Sequence, residues 1–362
     1  MGEILGVGLT HYPPLMGPPM TFANLLRRTL ESPLIPAEMK NPENWPEIMQ
    51  QEYASEQTLA PQHQERLVNN FRKIRQAIDD FGPDAVIIFG DDQYENFKED
   101  IVPPFCVFLH ESMESMPFAG RGSQNAWKEP EDKVFTHQGD RALAKHIATE
   151  LMERDFPISY AFSNSHYAEG HAPNMLTHAF LNAILFLDWD RRGFDYPVVP
   201  IQVNCYGKDV ITSRGGSGHL NPAIKDEPYG NVDTPPGPSP ASCYRLGQTV
   251  RQILDETPGK FVIMASSGWS HAFLCAKNNW IYPDISTDRQ RVEELRTGKH
   301  HKWAELTTDE ITDAGDQEFK NWICLAGAME DRQAVVVDYM ENYIFNSNKC
   351  FALFPPNGDG TG

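Results

Sequence analysis

Val86-Ile87-Ile88-Phe89-Gly90-Asp91-Asp92-Gln93-Tyr94-Glu95-Asn96-Phe97 runs from an apolar segment through one glycine into two carboxylates and an amide. An unbroken β-branched and aromatic run of this kind reads as a strand buried on both faces, as in the interior of a parallel sheet. Polar residues that follow such a strand at once stand where the loops of an open α/β sheet converge, and there ligands bind. This stretch therefore sets two expectations, an α/β fold and a site at its strand ends.

Working outward, short apolar runs alternate with helical patterns. Ile4 to Leu9 predicts a strand ending at "THYPP", and Glu65 to Phe81 a helix with Leu67, Phe71, Ile74 and Ile78 at three-to-four spacing; Asp84 to Phe89 is the next strand. Helices are predicted over Arg141 to Glu153, Leu176 to Leu187 and Tyr244 to Asp255, and strands over Ile158 to Phe162, Tyr196 to Asn204 and Lys260 to Ser267. The alternation is that of an α/β protein. Met16 to Tyr53 and Tyr206 to Ser242 are rich in proline and polar residues and read as long loops inserted into one fold. The expectation is a single domain over residues 1–362, a central mixed sheet flanked by helices, with the loop insertions near the site.

Composition narrows the partners. Among 362 residues, 31 Lys and Arg face 50 Asp and Glu, a net charge of -19, and the longest basic cluster is Lys299-His300-His301-Lys302, so no nucleic-acid partner is expected. Lys208 and Arg214 are candidate cations for an anionic substrate, although solvated surface charge is the ordinary reading. The six cysteines form no C-x-x-C pair, which argues against a zinc knuckle, a redox pair or a secreted disulfide framework. No signal peptide and no membrane-length apolar run is visible, so a cytoplasmic protein without membrane contact is expected.

Polar residues follow predicted strands at four places: His11, then Asp91-Asp92-Gln93, then Asn204, then Ser270-His271. Each alone is an ordinary loop group or capped strand end. Together, converging from distant positions, they could build one metal or acid/base site.

The fragments "GVGLTHYPPL", "PDAVIIFGDDQYENF", "LTHAF", "YPVVPIQVN", "SSGWSHAF" and "DQEFKNWICLAGAM" occur in an order that resembles the class III extradiol ring-cleavage dioxygenases, the superfamily of the catalytic subunit of protocatechuate 4,5-dioxygenase. The resemblance runs from about residue 4 to about residue 330. It implies non-haem Fe(II) bound by two histidines and a glutamate, with open positions for a catecholate and dioxygen. His11 in "LTHYPP" matches the first histidine and Glu318 in "DQEFKNW" the glutamate; His271 in "GWSHAF" matches the general acid/base, and His178 in "LTHAF" a histidine that guides oxygen and protons. Where the family has its second iron histidine, this chain has Gln93. Three readings stand open: Gln93 is a weak oxygen ligand, Asp92 or His63 substitutes, or the iron is lost. Gln93→His is expected to tighten iron binding.

Asn204, Asp92 and His171 are the candidate substrate-binding residues. His166, in the same loop as His171, and His110 are further candidates for the pocket, whereas His300 and His301 read as exposed, His137 and His146 as flanking or entering a surface helix, and His63 as a solvated or capping group. The resemblance implies an iron-dependent dioxygenase that opens a catechol-type or aminophenol-type ring with O2, its partners being that small aromatic, dioxygen and a homo-oligomer or small partner subunit. A non-catalytic paralogue, motivated by Gln93, and a zinc-dependent hydrolase are the competing readings.

Overall fold

The computed structural model describes residues 1–120, 124–164, 175–220 and 234–356. The chain opens with strand β1 (Gly2–Leu9), then helices α1 (Asn24–Glu31), α2 (Glu47–Ala54) and α3 (Glu56–Phe81). Strands β2 (Ala85–Asp91), β3 (Phe105–Phe108), β4 (Ser112–Ser115) and β5 (Phe135–Gln138) lead to α4 (Arg141–Glu153), β6 (Ser159–Ala161), α5 (His178–Leu187) and β7 (Val198–Val203). The one-turn α6 (Asp209–Thr212) precedes α7 (Pro240–Glu256), β8 (Gly259–Ser266), α8 (Ile285–Arg296), α9 (Thr308–Ala314), α10 (Lys320–Ala328), β9 (Val335–Met340) and β10 (Lys349–Phe354).

Eight strands form one sheet in the order β6-β3-β7-β2-β8-β1-β10-β9, and β4 and β5 make a separate hairpin-like pair. The centre is parallel: β2 lies between β7 and β8, and β8 pairs with β1. Antiparallel pairing enters where β3 meets β7 and where β10 meets β1 and β9. The sheet is mixed, as expected, and it extends through β9 and β10 past the end of the family-like fragments.

The period-two geometry of a strand explains the apolar run of β2. Val86 and Ile88 face one core with Leu67, Phe71 and Ile74 of α3 and Ile184 of α5; Ile87 and Phe89 face the other with Ile147 of α4, Val250 of α7 and Ile323 of α10. Both faces are thus covered. Gly90 interrupts the run because a Cβ there would lie 2.7 Å from the Phe180 ring, so its absence lets α5 settle against the end of β2.

Several boundaries differ from expectation. Residues 16–53, read as a loop, contain α1 and α2, short helices between prolines that offer little periodicity to read. Helix α3 begins at Glu56 rather than Glu65 and runs through Pro61, whose missing N–H removes one bond early in a 26-residue helix. His63 is therefore a buried helical residue among the rings of Tyr12, Phe22 and Phe345, not a solvated cap. His300 is also buried, 3.0 Å from the Met329 carbonyl through Nε2, and His137 is a buried residue of β5. The six cysteines are buried and free, and among the described residues no helix is long and apolar enough to cross a membrane.

Candidate metal centre

The carboxyl ends of β1, β2 and β8 deliver His11, Asp91 with Gln93, and Gly268 with His271 to one place, which α5 completes with His178 and the turn before α10 with Glu318. A cavity of about 250 Å³ opens there. Its outer wall includes Asn24 and Arg28 of α1 and Gly216 and Ser217 after α6, so both insertions border it.

Glu318 sits in a single 3-10 turn whose neighbour Phe319 is fully buried between Trp269 and Trp303, at ring distances of 5.3 and 4.6 Å. Preceding it, Gly315 ends α9 at φ 70°, and its carbonyl accepts the His271 N–H at 2.9 Å, which couples the glutamate's turn to the loop after β8. Glu318 Oε2 lies 3.5 Å from both His11 Nε2 and His271 Nε2. That oxygen is buried and accepts no hydrogen bond. Its other oxygen, Oε1, receives the Tyr206 hydroxyl at 2.5 Å and the Gln93 amide at 3.0 Å.

The two adjacent acids of the opening stretch have separate tasks. Asp92, expected to bind substrate, accepts the backbone N–H groups of Glu95, Asn96 and Phe97, so it closes the turn and is not among the residues that line the cavity. Asp91 is fully buried behind the cavity wall and turns toward His11 and His178: Gln93 donates to its Oδ2 at 3.1 Å and Asn321 approaches its Oδ1 at 3.4 Å. Burial and then the neighbouring Glu318 carboxylate push Asp91 well above the usual carboxylate range. Gln93 turns its NH2 into the cavity, toward Asp91, Tyr206 and Glu318, all acceptors, while its carbonyl oxygen faces Gly216. Three acceptors around one nitrogen favour this orientation of the amide. As placed, Gln93 presents a hydrogen-bond donor where the resemblance anticipates a ligand.

His178 is the first residue of α5, and Glu95 receives both its backbone N–H, at 2.9 Å, and its Nδ1, at 2.8 Å. Burial lowers its pKa, but Glu95, Asp91 and Glu318 outweigh burial and raise it to about 10. His11 stands across from it, ring centroids 4.8 Å apart, with Nδ1 2.9 Å from the Ser266 carbonyl. Burial lowers His11 to about 4 despite Glu318, so its imidazole is neutral at neutral pH and Nε2 carries a free lone pair. Burial likewise lowers His271, whose Nδ1 has no hydrogen-bond partner. These donors suit a divalent ion: an unpartnered buried carboxylate oxygen faces two imidazole nitrogens, and ligand atoms of His11, Asp91 and His178 lie within 4.8 Å of one another.

Of the anticipated site residues, His11, Gln93, His178, His271 and Glu318 meet around the cavity. Asn204 does not; its Oδ1 accepts the Gly207 N–H at 2.8 Å and shapes the turn after β7. His171 and His166 fall outside the described residues. His110 is buried against Phe108, 5.4 Å between stacked rings, away from the cavity lining. Sequence reading missed Tyr206, Glu95 and the inward role of Asp91. Only Asp91 carried a signal, as the last residue of a strand feeding the site.

Comparison with known proteins gives a family match. The model of the catalytic LigB subunit of aromatic ring-opening dioxygenase matches residues 51–172 and 229–352. A 2,3-dihydroxyphenylpropionate/2,3-dihydroxicinnamic acid 1,2-dioxygenase of Comamonas testosteroni is 24% identical over 241 residues, 67% of this chain and 58% of that protein. Proteins of the same name from Photorhabdus laumondii and Rhodococcus rhodochrous are 22% identical over 56% of this chain and 47% of that protein, and 25% identical over 66% and 77%. The chain thus spans 58% and 47% of the first two relatives' lengths.

Proposed function

The chain belongs to the family of the catalytic LigB subunit of aromatic ring-opening dioxygenase, and on that premise we propose that it is an Fe(II)-dependent extradiol-type dioxygenase. Its substrate is a catechol-type or aminophenol-type ring, opened with O2. The observation that carries this reading is the meeting of His11, Glu318 and His271 at Glu318 Oε2, from positions as far apart as 307 residues (318 minus 11). The relatives' names, dioxygenases of dihydroxylated phenylpropionate and cinnamate, support the substrate class.

His11 and Glu318 hold the ferrous ion in this proposal, at a site that Gln93 borders. Bound iron would supply a Lewis acid that eases deprotonation of the catechol and a centre at which substrate and dioxygen are held together. The chain's own residues do the rest. His271, a neutral buried imidazole on the cavity wall, accepts the remaining phenolic proton and returns it to the product. Tyr206 keeps Glu318 oriented, and the aromatic-lined turn at Phe319 keeps water from the glutamate's rear. Both oxygen atoms of O2 end in the ring-opened product.

Protein purified anaerobically is expected to take up about one Fe(II) per chain and to consume one O2 for each catechol ring opened. Failure to bind iron when it is offered would falsify this reading. A second reading, a non-catalytic paralogue within a hetero-oligomer, draws on Gln93. It predicts iron-free protein that co-purifies with an active second chain, and native mass measurement separates it from the cytoplasmic homo-oligomer that the first reading proposes.

A further inference from the structure

The imidazole that the turn after β2 lacks is present in space on another element. Resting on the reading that this cavity is a metal centre, we propose that the divalent ion is held by His11, Asp91 and His178. Gln93 is then the donor that aligns Asp91 and not a ligand. Glu318 stands beside His11 as a further oxygen donor.

Three observations carry the assignment. First, among the described residues, His11, Asp91 and His178 are the group of metal-capable side chains whose ligand atoms all approach within 4.8 Å. Second, each imidazole has its Nδ1 engaged outside the cavity. His11 reaches the Ser266 carbonyl at 2.9 Å and His178 the Glu95 carboxylate at 2.8 Å. A ligating histidine typically donates its other ring nitrogen to a carbonyl or carboxylate in this way, which directs Nε2 to the metal; at His178 the ion would displace the proton and the Gln93 amide nitrogen 3.4 Å from Nε2. His271 lacks such a partner at Nδ1, which sets it apart from the other two. Third, the Gln93 nitrogen is within 3.1 Å of Asp91 Oδ2, Tyr206 Oη and Glu318 Oε1, so it orients acids and offers the metal no lone pair. Two imidazoles and a carboxylate give the same donor chemistry that the resemblance anticipates, with the second nitrogen moved from the end of β2 to the start of α5 and Asp91 joining Glu318 as the acidic side of the site. The site therefore keeps its taste for iron, cobalt or zinc over magnesium or calcium.

Metal-stripped protein titrated with Co(II) alone, followed by calorimetry and by the visible bands of the bound ion, tests this without substrate or turnover. The wild type is expected to bind one Co(II) per chain. His178→Ala and Asp91→Asn are each expected to lose at least tenfold in affinity, and Glu95→Gln about tenfold through the loss of imidazole alignment, the scale typical of an outer-shell partner. Gln93→Ala, which removes an aligning donor and no ligand, is expected to lose about tenfold, on the outer-shell scale of Glu95→Gln and less than either ligand variant. Circular dichroism checks each fold, and Glu95→Gln, which keeps every proposed ligand, decides the matter should His178→Ala not fold. Loss of Co(II) in Gln93→Ala with retention in Glu95→Gln and His178→Ala would overturn the assignment, as would a wild type that binds none. Oxygen uptake by the iron-loaded wild type separates the two claims. Metal bound with the expected variant pattern but no uptake with catechols ends the dioxygenase reading alone, and uptake with an indifferent His178→Ala ends the ligand assignment alone.

Discussion

At the scale of single residues, the cavity is organised by hydrogen-bond donors placed among buried acids. Tyr206 is the strongest of them, its hydroxyl meeting Glu318 Oε1 at 2.5 Å while accepting from Gln93 at 3.0 Å. Tyr206→Phe keeps the ring in the core but withdraws a hydrogen bond to a charged group, and is expected to cost about 2 kcal/mol, read as a lowered urea midpoint at constant slope. An unchanged midpoint would mean that water replaces the phenol. The residue scale is also where sequence reading was weakest. Position 93 departs from the family resemblance, yet nothing in the letters reveals which end of its amide faces the cavity. Glu95 gave no signal, because its partner lies 83 residues away on α5. Asp91 and Asp92 looked equivalent, and only the turn geometry that consumes Asp92 tells them apart.

Helices and strands set the site by where they start and stop. Helix α5 must approach β2 closely for His178 to reach the cavity, and Gly90 permits that approach. Gly90→Ala would put a methyl 2.7 Å from the Phe180 ring and is expected to cost about 1–3 kcal/mol by overpacking, with weaker Co(II) binding as α5 is displaced. Phe180→Leu in the same chain should recover both, and persistence of the defect would place its cause elsewhere. Helix α1 contributes the exposed Arg28 to the cavity rim. Arg28→Ala is expected to raise KM for catechols bearing a carboxylate by about three- to tenfold, the scale of a solvent-screened charged hydrogen bond, and to leave unsubstituted catechol unaffected. Equal changes for both substrates would assign Arg28 a structural role. Helix α8 is capped by Asp284, which accepts from Thr287 N–H and pairs with Lys277 Nζ at 2.7 Å. Burial would raise this carboxyl, but the Lys277, Thr287 and Ser286 hydrogen bonds outweigh it and hold the pKa at about 2. A lowered folded-state pKa means stability present above the ordinary carboxylate range and lost as pH falls toward 2. Asp284→Ala is therefore expected to cost about 1 kcal/mol at pH 7, and its gap from the wild type should narrow below about pH 4. At this scale the central strands and helices α4, α5 and α7 were legible from periodicity. Helices α1 and α2 were not, since proline-bounded turns of eight residues carry too few repeats to show a period.

Across the whole molecule, the alternation of apolar runs and helical patterns makes the α/β class readable, and the rule that loops converge at strand ends points to the cavity that His11, Gln93 and His271 line. Sheet order was not readable. That β10 returns from the end of the chain to lie against β1 depends on packing that no local pattern encodes. The consequence is a cavity bounded by the first strand and by the turn before α10, which any bound ion would tie together. Such an ion binds the folded state alone, because the unfolded chain separates His11 from Glu318 by most of its length. At a free Co(II) concentration a hundredfold above the dissociation constant, the folded state is expected to gain about 2.7 kcal/mol. In a protein of this size that is an upward Tm shift of a few degrees, abolished by a chelator. The shift should act on one cooperative transition, since the site gathers residues from neighbouring central strands of a single sheet and from the turn before α10. Two separated transitions, only one of them metal-sensitive, would show that the insertions or the β9–β10 edge unfold independently of the centre that β1, β2 and β8 build.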